Sequence, residues 1–109
     1  MYLDKIATMN NMIEAQKNPA AFAKRVLQEY RNGAIPGRLN AQKAELLKRY
    51  KADEIRDSGW KYLMSSGQYK YEARYDLITP VDSYYFVWQI NLRDKTIIPL
   101  NKLSERLMQ

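Results

Sequence analysis

Cysteine and histidine are both missing from the 109 residues, and the two absences remove most familiar site chemistry. Without a thiol there is no disulfide framework, no thiolate nucleophile and no thiolate metal site. Without an imidazole there is no Ser-His-Asp triad, no imidazole general base and no imidazole zinc ligand. An enzyme built from this chain would have to rely on carboxylates, Lys, Tyr or Arg. Long apolar runs are also absent, and none approaches the roughly 20 residues of a membrane-crossing helix. The stretch Tyr2-Leu3-Asp4-Lys5-Ile6-Ala7 lacks the apolar core of a secretory signal. Met1 is either a native start or an initiator standing where a signal or anchor was trimmed. A cysteine-free chain suits the cytosol and the periplasm equally. The compartment is therefore extracytoplasmic if Met1 replaces an anchor, and cytoplasmic otherwise.

What is present is an ordinary globular composition, 46% hydrophobic and 28% charged. The length fits a single domain spanning 1–109. A chain of this size buries roughly two thirds of its unfolded surface, enough for a core without staples. No low-complexity tract and no internal repeat interrupts it.

Helical spacing dominates the first half. Leu3, Ile6, Met9, Asn10 and Ile13 predict a first helix over 3–16. Asn18-Pro19 is a start signal, with Asn as N-cap and Pro at the first helical position. The helix that follows carries Phe22, Val26, Leu27 and Tyr30 on one face and ends before Gly33. Gly33-Ala34-Ile35-Pro36-Gly37 reads as a connector. Asn40 then caps a further helix over 41–56, closed by Gly59.

Beyond Gly59 the period changes to two. Trp60 to Met64 is a short strand, and Ser65-Ser66-Gly67-Gln68 is turn material. Tyr69, Tyr71, Ala73, Tyr75 and Leu77 alternate with Lys70, Glu72, Arg74 and Asp76, a strand with one wet face. After a turn over 79–83, Tyr84, Phe86, Trp88, Ile90 and Leu92 alternate. Tyr85 and Val87 make the second face of that strand apolar too, which predicts a central strand covered on both sides. Arg93-Asp94-Lys95 turns into Thr96-Ile97-Ile98-Pro99-Leu100, and Pro99 marks an edge or an end. Asn101 caps a short last helix through Leu103 and Leu107. The fold class is therefore α+β: two or three N-terminal helices (1–58) packed on a curved antiparallel sheet of about four strands (59–100), then a helical tail (101–109).

The segment Tyr84-Tyr85-Phe86-Val87-Trp88-Gln89-Ile90-Asn91-Leu92, a turn, and Ile97-Ile98-Pro99-Leu100-Asn101 resembles the last hairpin of small bacterial extracytoplasmic domains. These have cystatin-like and nuclear-transport-factor-like α+β folds. The resemblance covers about half the chain and rests on pattern. It implies a pocket between helix and sheet and, in some such domains, a tether to a membrane anchor. It carries over no functional residue.

Charge is concentrated between positions 24 and 51. Lys24, Arg25, Arg31, Arg38, Lys43, Lys48, Arg49 and Lys51 face only Glu29 and Glu45, so this window holds the whole net charge of +6. Arg31, Arg38, Lys43, Lys48 and Arg49 are the candidate anion-binding surface, for nucleic acid, anionic lipid or an acidic partner. A solvated helical face is the competing account, because Lys and Arg are good helix formers and here point in several directions. Tyr69, Tyr71, Tyr75 and Tyr85 are the candidate interaction aromatics, able to stack on a partner if exposed. Alternating aromatics are also what a half-buried strand needs for its core. Glu72 and Asp76 share a strand face with Lys70 and Arg74, which predicts surface ion pairing rather than acid/base catalysis. Asp53, Glu54 and Asp57 cluster at a predicted helix end without metal-ligand spacing.

The sequence thus predicts a non-catalytic protein-interaction module without cofactor or metal. Its partner is another protein or a second copy, and its expected setting is a membrane-associated bacterial assembly. A nucleic-acid or anionic-surface binder using 24–51, and a small-ligand pocket protein, are the alternatives.

Overall fold

The computed structural model describes residues 17–65 and 69–109. The helix expected over 3–16 and the turn at Ser66-Gly67-Gln68 lie outside the described residues. Within them the chain is α+β, with three helices and an antiparallel sheet of five strands.

Helix α1, Pro19–Glu29, begins as its sequence dictates. The Asn18 side chain accepts the Ala21 N–H at 3.2 Å, and Pro19 takes the first position, where no N–H is needed. Its buried face is Phe22, Ala23, Val26 and Leu27. The chain then reverses through a left-handed run, Arg31 (φ 47°), Asn32 (φ 56°) and Gly33 (φ 85°). Gly33 closes the turn on the Tyr30 carbonyl and starts α2, Ala34–Arg49, at once. The expected connector is therefore the first turn of a helix. Pro36 is tolerated because it is the third helical residue, where its missing N–H has no intrahelical partner to lose. Asn40, expected as a cap, lies inside α2.

That helix also ends earlier than its polar sequence suggests. Tyr50 turns extended, the Glu54 carboxylate accepts the Lys51 N–H at 2.9 Å, and Ala52–Glu54 forms one 3₁₀ turn. Strand β1, Arg56–Asp57, follows where helix was expected, and it raises the strand count from about four to five. Gly59 (φ 72°) makes the corner from β1 into β2, Lys61–Met64, rather than a helix end.

Strands β3 (Lys70–Ile78), β4 (Ser83–Asn91) and β5 (Thr96–Pro99) complete the sheet. β3 and β4 pair along nine positions from Lys70↔Asn91 to Ile78↔Ser83. β1 and β2 lie in succession on the other side of β3, and β5 is the edge beside β4. Pro99 sits in that edge strand, where a missing N–H costs least.

The alternation of β3 and β4 divides the sheet into two unlike faces. The inner face carries Tyr71, Ala73, Tyr75 and Leu77 with Phe86, Trp88 and Ile90, all buried. Side chains of α1 and α2, among them Phe22, Leu27, Ile35 and Leu39, fill the space against it. Trp60 meets Tyr75 edge-on at 5.0 Å and Trp88 at 5.6 Å between ring centroids. Each large side chain fully buried in this way contributes roughly 1.5–3 kcal/mol.

Helix α3, Lys102–Met108, finishes β4 beyond the reach of β5. Asn101 caps α3 by accepting the Ser104 N–H at 2.8 Å, and its amide donates to the Tyr85 carbonyl at 2.8 Å. Buried Ser104 accepts the Val87 N–H at 2.7 Å through its hydroxyl and the Trp88 indole N–H at 3.2 Å through its carbonyl. The Leu100 N–H reaches the Val87 carbonyl at 3.0 Å.

Candidate functional site

The members of the basic window have different partners. Arg31 Nη1 donates to the Met108 carbonyl at 3.1 Å, and Arg38 Nη1 donates to the Leu107 carbonyl at 2.9 Å. Both guanidinium groups thus sit at the negative end of α3 and satisfy carbonyls that a helix end leaves unpaired. This contact holds Arg31 in place although its backbone is left-handed, a conformation that costs an ordinary residue roughly 1–2 kcal/mol. Lys48 pairs with Glu45 one turn away at 3.0 Å, on the surface. Arg49 is exposed at the end of α2.

Lys43 reaches across from α2 to β1. Its Nζ lies 3.1 Å from the Asp57 carboxylate and 4.5 Å from the centre of the Tyr75 ring. Burial works against the Lys43 charge, but hydrogen bonding to Tyr75 and Asp57 outweighs it and raises its pKa. Burial likewise opposes the Asp57 charge. Hydrogen bonds from Tyr75 and the Gly59 N–H, with the Lys43 charge, overcome that and lower its pKa. Burial and the neighbouring Asp57 raise the Tyr75 hydroxyl. A nucleophilic Lys or Tyr needs its pKa lowered, and these move the other way. The cluster is a tie between α2 and the sheet.

A cavity of about 180 Å³ opens beside this tie, lined by Lys43, Leu47, Ala52, Ile55, Asp57 and Leu77. A shallower groove of about 450 Å³ runs between Asp53–Arg56 and Ile78–Pro80. The Tyr62 hydroxyl is buried without a hydrogen-bond partner, and burial pushes its pKa up to about 12.

The four tyrosines separate. Tyr71 (8% exposed) and Tyr75 (3%) belong to the core. Tyr69 is half-buried and left-handed (φ 65°) at the entrance to β3, with the Arg93 guanidinium 5.9 Å from its ring centre. Tyr85 is exposed, on the outer face of β4.

That outer face carries the most unusual surface of the molecule. No described helix packs over it, and Leu63 (53% exposed), Ile98 (51%), Leu100 (47%) and Tyr85 (46%) stand out from it. Single exposed apolar side chains are normal, but Ile98, Leu100, Val87 and Tyr85 are neighbours across β4 and its edge. Lys61 lies directly opposite Arg74 across β2 and β3, a like-charge pairing that weakens a sheet. The expected ion pairing on this face is not formed. Among the described residues, no ion pair joins Lys70, Glu72, Arg74 or Asp76, and one Asp76 carboxylate oxygen is buried without a hydrogen bond. Among the described residues, helices thus cover the central strand on one side only.

The like-charge pair and the apolar neighbours escape a linear reading because each depends on register. Lys61 and Arg74 become partners only once the β2–β3 hairpin is closed. The one sequence signal was the apolar second face of β4 at Tyr85 and Val87.

Among the described residues no group of three or more acidic side chains is placed to hold a metal, and no helix is long and apolar enough to cross a membrane. No protein-family model matches the chain, and neither curated proteins nor solved structures give a match.

Proposed function

We propose that this chain is a non-catalytic protein-interaction module whose contact surface is the outer face of its sheet. One observation carries the reading: a five-stranded sheet sealed by helices on one side presents on the other a cluster of apolar side chains and charges that form no ion pair among the described residues. Interfaces combine an apolar centre with polar groups that fix orientation, and both are present here. The likeness to cystatin-like and nuclear-transport-factor-like domains, and a place in a membrane-associated bacterial assembly, belong to the same proposal. The anion-binder alternative is less well supported, because Arg31, Arg38, Lys43 and Lys48 already have partners within the fold.

Photo-crosslinking in cells tests this directly. A photoreactive phenylalanine analogue replaces Tyr85 in one variant and exposed Lys24 of α1 in another. Crosslinked protein, identified by mass spectrometry, is expected from position 85 and not from position 24. Crosslinks confined to position 24, or none at either site, overturn the proposal.

A further inference from the structure

The outer face of β3 reads Lys70, Glu72, Arg74, Asp76, so the sign of charge alternates at every step along the face. Residues two apart on one face are close enough for long side chains to meet. Yet these four form no ion pair with one another among the described residues. Lys61 adds a second cation beside Arg74.

We propose that the outer face docks against the same face of a second copy, with the two β3 strands antiparallel and crossing at Ala73. This rests on the interaction-module reading and names its partner. Alternating charge selects that arrangement. A two-fold axis lying across the strands at Ala73 sets Arg74 over Glu72 of the second copy and Asp76 over its Lys70, each pair occurring twice. An axis along the strands would instead set Arg74 over Arg74. Stacked sheets lie about 10 Å apart, a gap that an Arg and a Glu side chain span together.

The rest of the face agrees with the same axis. It passes through Tyr62 on β2 and Trp88 on β4, the register partners of Ala73. Ile98 then lies over Leu100 of the second copy, and Val87 over its Gln89. The Lys61 stem lies over Leu63, with its ammonium beside Glu72 of the other chain. The crowded cations Lys61 and Arg74 thus gain a carboxylate that no described residue of their own chain supplies. Apolar contact supplies the attraction, and the charges fix the register, the usual division between the two in an isologous interface.

Sedimentation equilibrium over a range of concentrations tests this with the native chain and two sets of three variants. The native chain is expected to dimerise. Arg74→Glu and Glu72→Arg each place like charges against one another twice, and each should weaken dimerisation about tenfold or more. Combined in one chain they exchange the two signs and should restore it. Lys70→Glu and Asp76→Lys form a second such set, and tryptophan fluorescence verifies the fold of each variant. A native chain that stays monomeric overturns the proposal, as does a double variant no better than its single parents. If position 85 still crosslinks to a different protein in that case, the interaction-module reading survives and the second copy is excluded as its occupant.

Discussion

Two regions of this molecule carry charge in opposite ways. The 24–51 window is crowded with cations in the sequence, yet in the fold four of its eight are employed. Arg31 and Arg38 hold the end of α3, Lys43 holds Asp57, and Lys48 holds Glu45. The outer strip of β3 is balanced in the sequence, two cations and two carboxylates in alternation, yet among the described residues it forms no ion pair. Net charge over a segment therefore says little about which charges are available. What decides availability is whether the tertiary structure brings a carbonyl or a carboxylate within reach.

Removing the employed charges should do the most damage. The double variant Arg31→Ala/Arg38→Ala leaves the last carbonyls of α3 uncapped and its dipole unopposed. It is expected to lower stability by about 1–2 kcal/mol in urea denaturation. The α3 amides should gain hydrogen-exchange rate first. Unchanged stability and exchange would mean that the two arginines are solvated and that the comparison fails.

A pH titration sharpens the same contrast at the Lys43–Asp57 tie. The Asp57 pKa is lowered from 3.8, so its stabilisation is present above that value and is lost as the pH falls through the folded-state pKa. Lys43 and Tyr75 are raised from 10.5 and 10.0, so their contributions hold at neutral pH and fade as the pH rises past those values. Tyr62 acts in the same direction between 10 and about 12. Asp57→Asn should flatten the acid limb of stability against pH, a modest effect because the carboxylate is partly solvated. An acid limb identical to that of the native chain would contradict this.

The smallest effect concerns the unemployed charges, and its sign is reversed. Lys61→Glu places opposite charges across β2 and β3 and should stabilise the monomer by roughly 0.5 kcal/mol. Thermal melts at low and high salt read it out, with the gain shrinking as salt screens the pair. Destabilisation would show that Lys61 already has a compensating interaction.

Much of the framework could be read in advance because its signals are local. Asn18-Pro19 starts α1, Asn101 caps α3, and the two-residue period of β3 and β4 places Tyr71, Tyr75, Phe86 and Trp88 on the buried face. The misreadings fall where local chemistry permits two outcomes. Pro36 and Gly37 suit a connector and equally suit a first helical turn. From Lys48 to Asp57 no glycine or proline announces the end of α2, so the 3₁₀ turn and β1 were hidden inside a good helical composition. The candidate site was hidden more deeply. Arg31 and Arg38 meet α3 across 77 and 69 residues, and Lys61 meets Arg74 only through strand register. No spacing rule along the chain encodes contacts of that kind.

The way Asn101, Leu100 and Ser104 take up the polar groups of Tyr85 and Val87 has a consequence for the life of the molecule. These few residues act as a seam that closes an otherwise adhesive strand margin. A protease that clipped the chain ahead of Leu100 would strip this closure. The product would be a sheet with a raw edge, prone to recruit further strands. The short last helix thus protects the sheet from indiscriminate assembly.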